Sequence, residues 1–302
     1  MDRDSGKLVK LRNRHLEAWV SPSHGAAVAR LFELETGFHI LRETSQDEIA
    51  RGETMKFGCF PMIPYSNRVG FRRLAFGGRS FELDCNRAGA PHSFHGNAWM
   101  QAWHIDELQD HHLAVSLVHA GDGHWPFPYT VRQELTLVQN ALHLRLSLRN
   151  TGTAPFPAGG GWHPFFNIDP DSRVSFEAQR VWLNDEHMLP RESALTQGGW
   201  NFSDSRPTQA LAVDNCFQGW SGNAVLEHPA RRRRITIGGC ERLASLVVFR
   251  PSDGREFIAL EPVSHVNNGM NLMAQGHTDT GVLVLQPRDS MEIAMEIGVH
   301  GG

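Results

Sequence analysis

The stretch ALHLRLSLRN, residues 141–150, decides the fold class. Leu142, Leu144, Leu146 and Leu148 hold every second position, with His143, Arg145, Ser147 and Arg149 between them. Successive side chains of a strand point to opposite faces, so the pattern sets a leucine row against a core and a polar row in water. A helix would spread the same leucines over two opposed faces. MEIAMEIGV (291–299) and YTVRQELTLV (129–138) repeat the alternation. In the second, Gln133 is a polar interruption in a row made of Val131, Leu135 and Leu137.

Working outward, further strands are expected at 8–11, 15–20, 27–34, 113–119, 173–178, 224–228, 235–237, 246–250, 257–260 and 282–285. Turn chemistry separates them: Gln139-Asn140, Asp253-Gly254, and a bend at His111–His112. SQDEIARGETM (45–55) suits a short helix capped by Ser45, and little else reads as helical. With no repeat, linker or low-complexity segment, the 302 residues read as one domain, 1–302. So many half-buried strands imply an all-β fold of large packed antiparallel sheets.

Composition narrows the function. A net charge of −4 argues against a general nucleic-acid binder. No run approaches the length of a membrane span, and MDRDSGKLVKLRNRHLEAWV lacks the apolar core of an export signal. Cys59, Cys85, Cys216 and Cys240 form no C-x-x-C pair and read as free thiols of a cytoplasmic protein. No metal-ligand spacing appears, so neither metal nor organic cofactor is expected. The basic run Arg231–Arg234 reads as a turn entering an edge strand, where charge blocks edge-to-edge pairing.

Polar residues beside Gly, Pro and aromatics then stand out. Asn67 and Arg68 lie in PYSNRVGF, His95 in HSFHGNAW, His163 in GGGWHPFFNI, Asp214 in VDNCFQGW, and Glu261 in IALEPVSHVNNGMN. Such neighbours build clefts for flat polar ligands. One carboxylate and two imidazoles suffice for proton transfer near neutral pH. Taken alone, each has a plain alternative: Glu261 a solvated strand end, His163 a satisfied core histidine, His95 and Asp214 turn residues, Arg68 a surface cation. Glu261 follows EFIAL and precedes Pro262, so the strand is expected to end there and present the carboxylate at a cleft. Trp103, Trp125 and Trp220 are possible stacking platforms.

The order and wording of these segments, from about Phe60 to Leu285, resemble the aldose 1-epimerase (galactose mutarotase) family. The resemblance implies a β-supersandwich of the galactose mutarotase-like type. It implies Glu261 as general base and His163 as general acid, with His95, Arg68 and Asp214 on the sugar and Asn67 beside Arg68. The expected activity is interconversion of the α and β anomers of a free aldohexose, by a monomer or homodimer with no partner but its sugar. In the family's H-x-Y-F-N segment this chain has Pro164 and Phe165, and Asn97 replaces the second glycine of H-G-G, which would narrow the cleft. A hexose-6-phosphate 1-epimerase is the near rival, kept open by Arg72 and Arg73 and disfavoured by Trp99 at a place where a cation is expected. A non-catalytic sugar-binding module on the same scaffold would retain Arg68 and Asp214 without needing the Glu261–His163 pair. For a working pair, ligand-sized separation is expected, with burial raising the Glu261 pKa and the carboxylate raising that of His163.

Overall fold

The computed structural model describes residues 8–301. Residues 1–7 and 302 lie outside the described residues. They include both ends of the expected 1–302 unit and the start of the stretch read for an export signal.

The alternating stretches become the long strands Tyr129–Val138, Ala141–Asn150 and Ser290–Gly301. They sit at the middle of a nine-stranded sheet, flanked by His112–His119 and His104–Gln109 on one side. On the other lie Arg233–Gly239, Asn223–His228, Arg173–Phe176 and Arg206–Pro207. A ten-stranded sheet runs in the order Val9–Arg12, Leu16–Ser21, Ala27–Glu33, Cys59–Met62, Gly161–Asn167, Phe257–Val263, Ser245–Arg250, Val213–Gln218, Arg180–Asn184, Pro190–Leu195. Every strand expected from the sequence is present, within a few residues at its ends.

One apolar cluster fills the space between the two sheets, with Leu144, Leu146 and Ile293 from one and Trp162, Phe166, Val248 and Ile258 from the other. Gln133 explains its own interruption of the leucine row. Its amide oxygen accepts from Trp162 Nε1 at 2.9 Å and its nitrogen donates to the Ala26 carbonyl at 3.0 Å, tying the sheets together. A buried amide so paired avoids the ~1–3 kcal/mol cost of an orphaned polar group.

The alternate residues of the ten-stranded sheet point the other way. Phe60, Phe165, Val247, Phe257 and Ala259 form a second apolar cluster on its outer face, together with Ile49, Phe57, Trp99 and Leu272 from covering loops. One cover is the helix Gln46–Ala50, whose Ser45 and Glu48 form a capping box. Another is the helix Gly269–Ala274, which the sequence reading did not anticipate. It is short and amphipathic, held because Asn268 Oδ1 accepts from the Gly70 amide and Asn271 Oδ1 from the Ala75 amide.

Two expectations are corrected. Strand Phe257–Val263 does not end at Glu261; it continues through Pro262, in the interior of the sheet. Arg233–Gly239 is an interior strand, not an edge. The basic run therefore does not guard an edge; Arg231 pairs with Asp169 and Arg233 with Glu33 at the end of the sheet. Among the described residues no helix is long and apolar enough to cross a membrane.

Candidate functional site

The site begins with strand register. Gly161 pairs with Val263 and Phe165 with Ala259, which sets His163 opposite Glu261 on neighbouring antiparallel strands. Phe60 stands opposite His163 on the other side. Two residues along, Asp214 faces Phe249 and Phe249 faces Ala259. All these side chains project from the outer face, so the sheet itself lays out the floor. His163 Nε2 lies 3.2 Å from Glu261 Oε1. The expected ligand-sized gap between them is absent: directly opposed residues of one sheet stand side by side, and a sugar must lie over the pair rather than between its members.

The remaining polar groups come from the loop that folds over the floor. Asn67 and His95 both have left-handed backbones, at φ 55° and 58°. They clasp each other: the His95 amide donates to the Asn67 carbonyl at 2.8 Å, and the Asn67 amide donates to His95 Nδ1 at 3.2 Å. Accepting that bond leaves Nδ1 bare, so the neutral ring carries its proton on Nε2. Gly96 follows at φ 69°, and a Cβ there would stand 1.9 Å from the Ile63 carbonyl oxygen. Arg68 donates to Asn67 Oδ1 at 2.9 Å and reaches Asp214 Oδ2 at 3.4 Å.

All six residues singled out from the sequence, Asn67, Arg68, His95, His163, Asp214 and Glu261, line one cleft of about 470 Å³. That is the size of a small-molecule site. Larger depressions of about 680 and 800 Å³ lie elsewhere, but their charged groups are half or fully exposed.

Other expectations fail for plain packing reasons. Trp99 is buried, donating Nε1 to the carbonyls of Gly96 and Phe94, and does not line the cleft. Asn97 points into the core, where it accepts from Tyr129 at 2.7 Å, so it does not narrow the cleft. Trp103, Trp125 and Trp220 are core residues. Arg72 and Arg73 do not reach the cleft. The aromatic walls are Phe94, Phe165, Phe249 and Phe257. Phe257 was legible, since it falls on the face of Glu261 by period-two alternation; Phe249 joins that face only through its pairing with Ala259 on the neighbouring strand. Arg42, Lys56, Arg87 and Arg255 also line the cleft, and no local motif marks them.

Burial governs the electrostatics. Glu261 is pushed well above the ordinary carboxyl range by desolvation, then by nearby Asp214, with Arg68 opposing. His163 is lowered from 6.5 to about 3 by desolvation, then by Arg42. This reverses the expected upward shift. The imidazole is stacked on Phe165 at 4.2 Å and lies 5.0 Å from the Phe60 ring, which removes the water an imidazolium needs. Both shifts favour the uncharged forms, a carboxylic acid beside a neutral imidazole. Glu261 Oε2 and His163 Nδ1 are buried without a partner. Orphaned polar atoms of this kind concentrate where function outweighs stability. His95 is likewise held neutral by desolvation, then by His163 and Arg68. Among the described residues no cluster of His, Cys, Asp or Glu has the makings of a metal site.

Comparison with known proteins agrees with this picture. The aldose 1-epimerase family model matches residues 7–297. The chain is 29% identical to the uncharacterised protein YphB of Escherichia coli K12, over 80% of its own length and 83% of that protein. A candidate aldose 1-epimerase from E. coli K12 superposes with a TM-score of 0.87 at 26% identity, covering 98% of this chain and 99% of that one. Galactose 1-epimerase from Lactobacillus acidophilus superposes at 0.80 with 16% identity, covering all of this chain and 97% of that one, and shares the fold. The architecture is the galactose mutarotase-like β-supersandwich.

Proposed function

Because the chain belongs to the aldose 1-epimerase family, we propose that this cleft interconverts the anomers of an aldose, with Glu261 as general base and His163 as general acid. The observation that carries the reading is the convergence of all six polar residues on one cleft, with the two proton-transfer groups 3.2 Å apart on its floor. One continuous core running from Leu11 to Val299 supports treating the chain as one catalytic unit.

The chemistry needs a proton taken from the C1 hydroxyl and one delivered to the ring oxygen. The C1–O5 bond then breaks, C1 becomes an aldehyde, and rotation about C1–C2 followed by the reverse transfers gives the other anomer. No electrons are exchanged with an external group. The pair already holds the single proton required. Moving it across 3.2 Å, from Glu261 Oε1 to His163 Nε2, converts acid and imidazole into carboxylate and imidazolium. A polar sugar above the pair, and Arg68 beside Glu261, favour that charge-separated form. Each positioned proton-transfer group contributes about 10²–10⁴-fold.

Binding falls to the loop. His95 offers an Nε2–H donor whose direction the Asn67 amide fixes. Arg68 and Asp214 present a donor fork and an acceptor side by side, suited to neighbouring hydroxyls. Trp99 is buried and so exerts no preference for an unphosphorylated sugar. Polarimetry of freshly dissolved α-anomers of glucose, galactose and glucose 6-phosphate tests the reading. Acceleration by the protein, absent in Glu261→Gln, is expected. No acceleration of any aldose would refute it.

A further inference from the structure

The cleft is charged in a way that a neutral hexose does not call for. Five cations line it, Arg42, Lys56, Arg68, Arg87 and Arg255, against two carboxyl groups, Asp214 and Glu261. The chain as a whole carries −4. Arg68 is matched by Asp214. The other four are not matched by any carboxylate inside the cleft.

The arrangement is specific on one wall. Arg42 stacks on Phe165 at 4.5 Å and lies 5.2 Å from the Phe257 ring. Arg255 lies 5.1 Å from the same Phe257 ring. Two guanidinium groups therefore share one aromatic platform, and Lys56 stands beside them. Among the described residues the Arg255 side chain meets Asp253 and Lys56 meets Glu53, both at 2.9 Å, with both cations exposed to water. Arg42 is half-buried and bonds only the carbonyls of Lys56 and Phe57; no carboxylate pairs with it among the described residues. Burial opposes its charge, nearby Glu48 partly offsets that, and neighbouring Arg255 opposes it further. Holding the half-buried Arg42 beside a like charge is unfavourable unless an anion completes the group.

We propose, resting on the 1-epimerase reading, that the sugar carries an oxyanion on the part remote from C1, held by Arg42 and Arg255 over Phe257 with Lys56 alongside. The remoteness follows from the stack. The Phe165 ring contacts both groups, 4.2 Å from the imidazole and 4.5 Å from the Arg42 guanidinium, so an aromatic side chain joins the cations to the pair and no hydrogen bond does among the described residues. An anion on Arg42 would also offset the charge that helps to lower His163, which favours the imidazolium form that donates to the ring oxygen. A phosphate monoester and a carboxylate share this chemistry, since either accepts paired bonds from guanidinium groups.

Steady-state anomerisation of glucose, glucose 6-phosphate and glucuronate by the full chain decides the matter. At least one anion should exceed glucose in kcat/KM by about tenfold or more, equivalent to ~1.4 kcal/mol. The ester and the acid separately identify which oxyanion is taken. The advantage should shrink as salt is raised, because screening weakens an exposed charge contact. Arg42→Gln and Arg255→Gln should each lower the anion-to-glucose ratio. Glucose turned over as well as both anions, or a preference untouched by salt and by both substitutions, overturns the proposal while leaving the proton-transfer pair standing. Failure on all three sugars overturns the reading of the site, and the substrate class with it.

Discussion

His163 and Glu261 occupy opposed positions on neighbouring antiparallel strands, with Nε2 3.2 Å from Oε1. Their relative placement is set by the hydrogen-bond ladder of the sheet interior, not by loops. A rigid floor of this kind suits proximity effects, which depend on sub-ångström placement. Replacing Glu261 by Gln keeps the shape but removes the transferable proton. The expected result is a fall in kcat of about 10²–10⁴-fold with KM changed little. Parallel loss of both constants would mark Glu261 as a binding or structural residue.

The pH dependence should differ from that of a free Glu–His pair. One proton resides on the pair from about pH 3, where His163 would take a second, up to the raised value of Glu261. The acid limb of kcat/KM is therefore expected below pH 5, well beneath the ordinary histidine value. A limb near 6.5, abolished in His163→Gln, would show a solvated imidazole and contradict the burial argument.

Stability should carry the opposite signature at Glu261. Its folded pKa lies above the ordinary 4.5, so its contribution is intact below pH 4.5 and is lost as pH rises toward the folded value. Glu261→Gln should thus gain stability relative to the parent, and the gain should widen between pH 5 and pH 8. Urea midpoints at the two pH values measure it. An equal difference at both would mean that the carboxyl titrates normally.

The loop that presents His95 depends on Gly96. Its backbone is left-handed at φ 69°, and a Cβ would stand 1.9 Å from the Ile63 carbonyl oxygen. Gly96→Ala should cost about 3 kcal/mol or more in a denaturant titration. A neutral substitution would show that the loop can move away from Ile63.

Arg68→Ala and Asp214→Asn should mainly raise KM. Each removes a charge-assisted contact, of about 1.5–3 kcal/mol when made by a charged group. A matching fall in kcat at constant KM would instead place Arg68 in the proton-transfer step, through its effect on Glu261.

Much of this molecule was legible because period-two alternation is a local property. Residues 129–138, 141–150 and 291–299 announce half-buried strands without reference to the rest of the chain. The short helix at Ser45 was equally local, a capping box written in four residues. What was not legible is non-local. Whether Glu261 ends a strand or lies inside one depends on its neighbours across the sheet, Val247 and His163. The direction of the His163 shift depends on burial beneath rings that include Phe60, from another strand, and on Arg42, from a distant loop. Trp99 failed as a ligand wall because its indole turns to the Gly96 carbonyl, a choice the motif does not reveal. Arg42, Lys56 and Arg255 come from segments with no site-like wording, and only the fold gathers them.

The most direct test of the central claim is anomeric proton exchange at equilibrium, read by NMR saturation transfer between the α and β C1–H signals of an aldose that the protein accepts. The account predicts fast exchange with the parent protein, and near-background exchange with Glu261→Gln and with His163→Gln, while line broadening shows that both variants still bind the sugar. Binding without exchange by the parent protein, or full exchange in either variant, would contradict it.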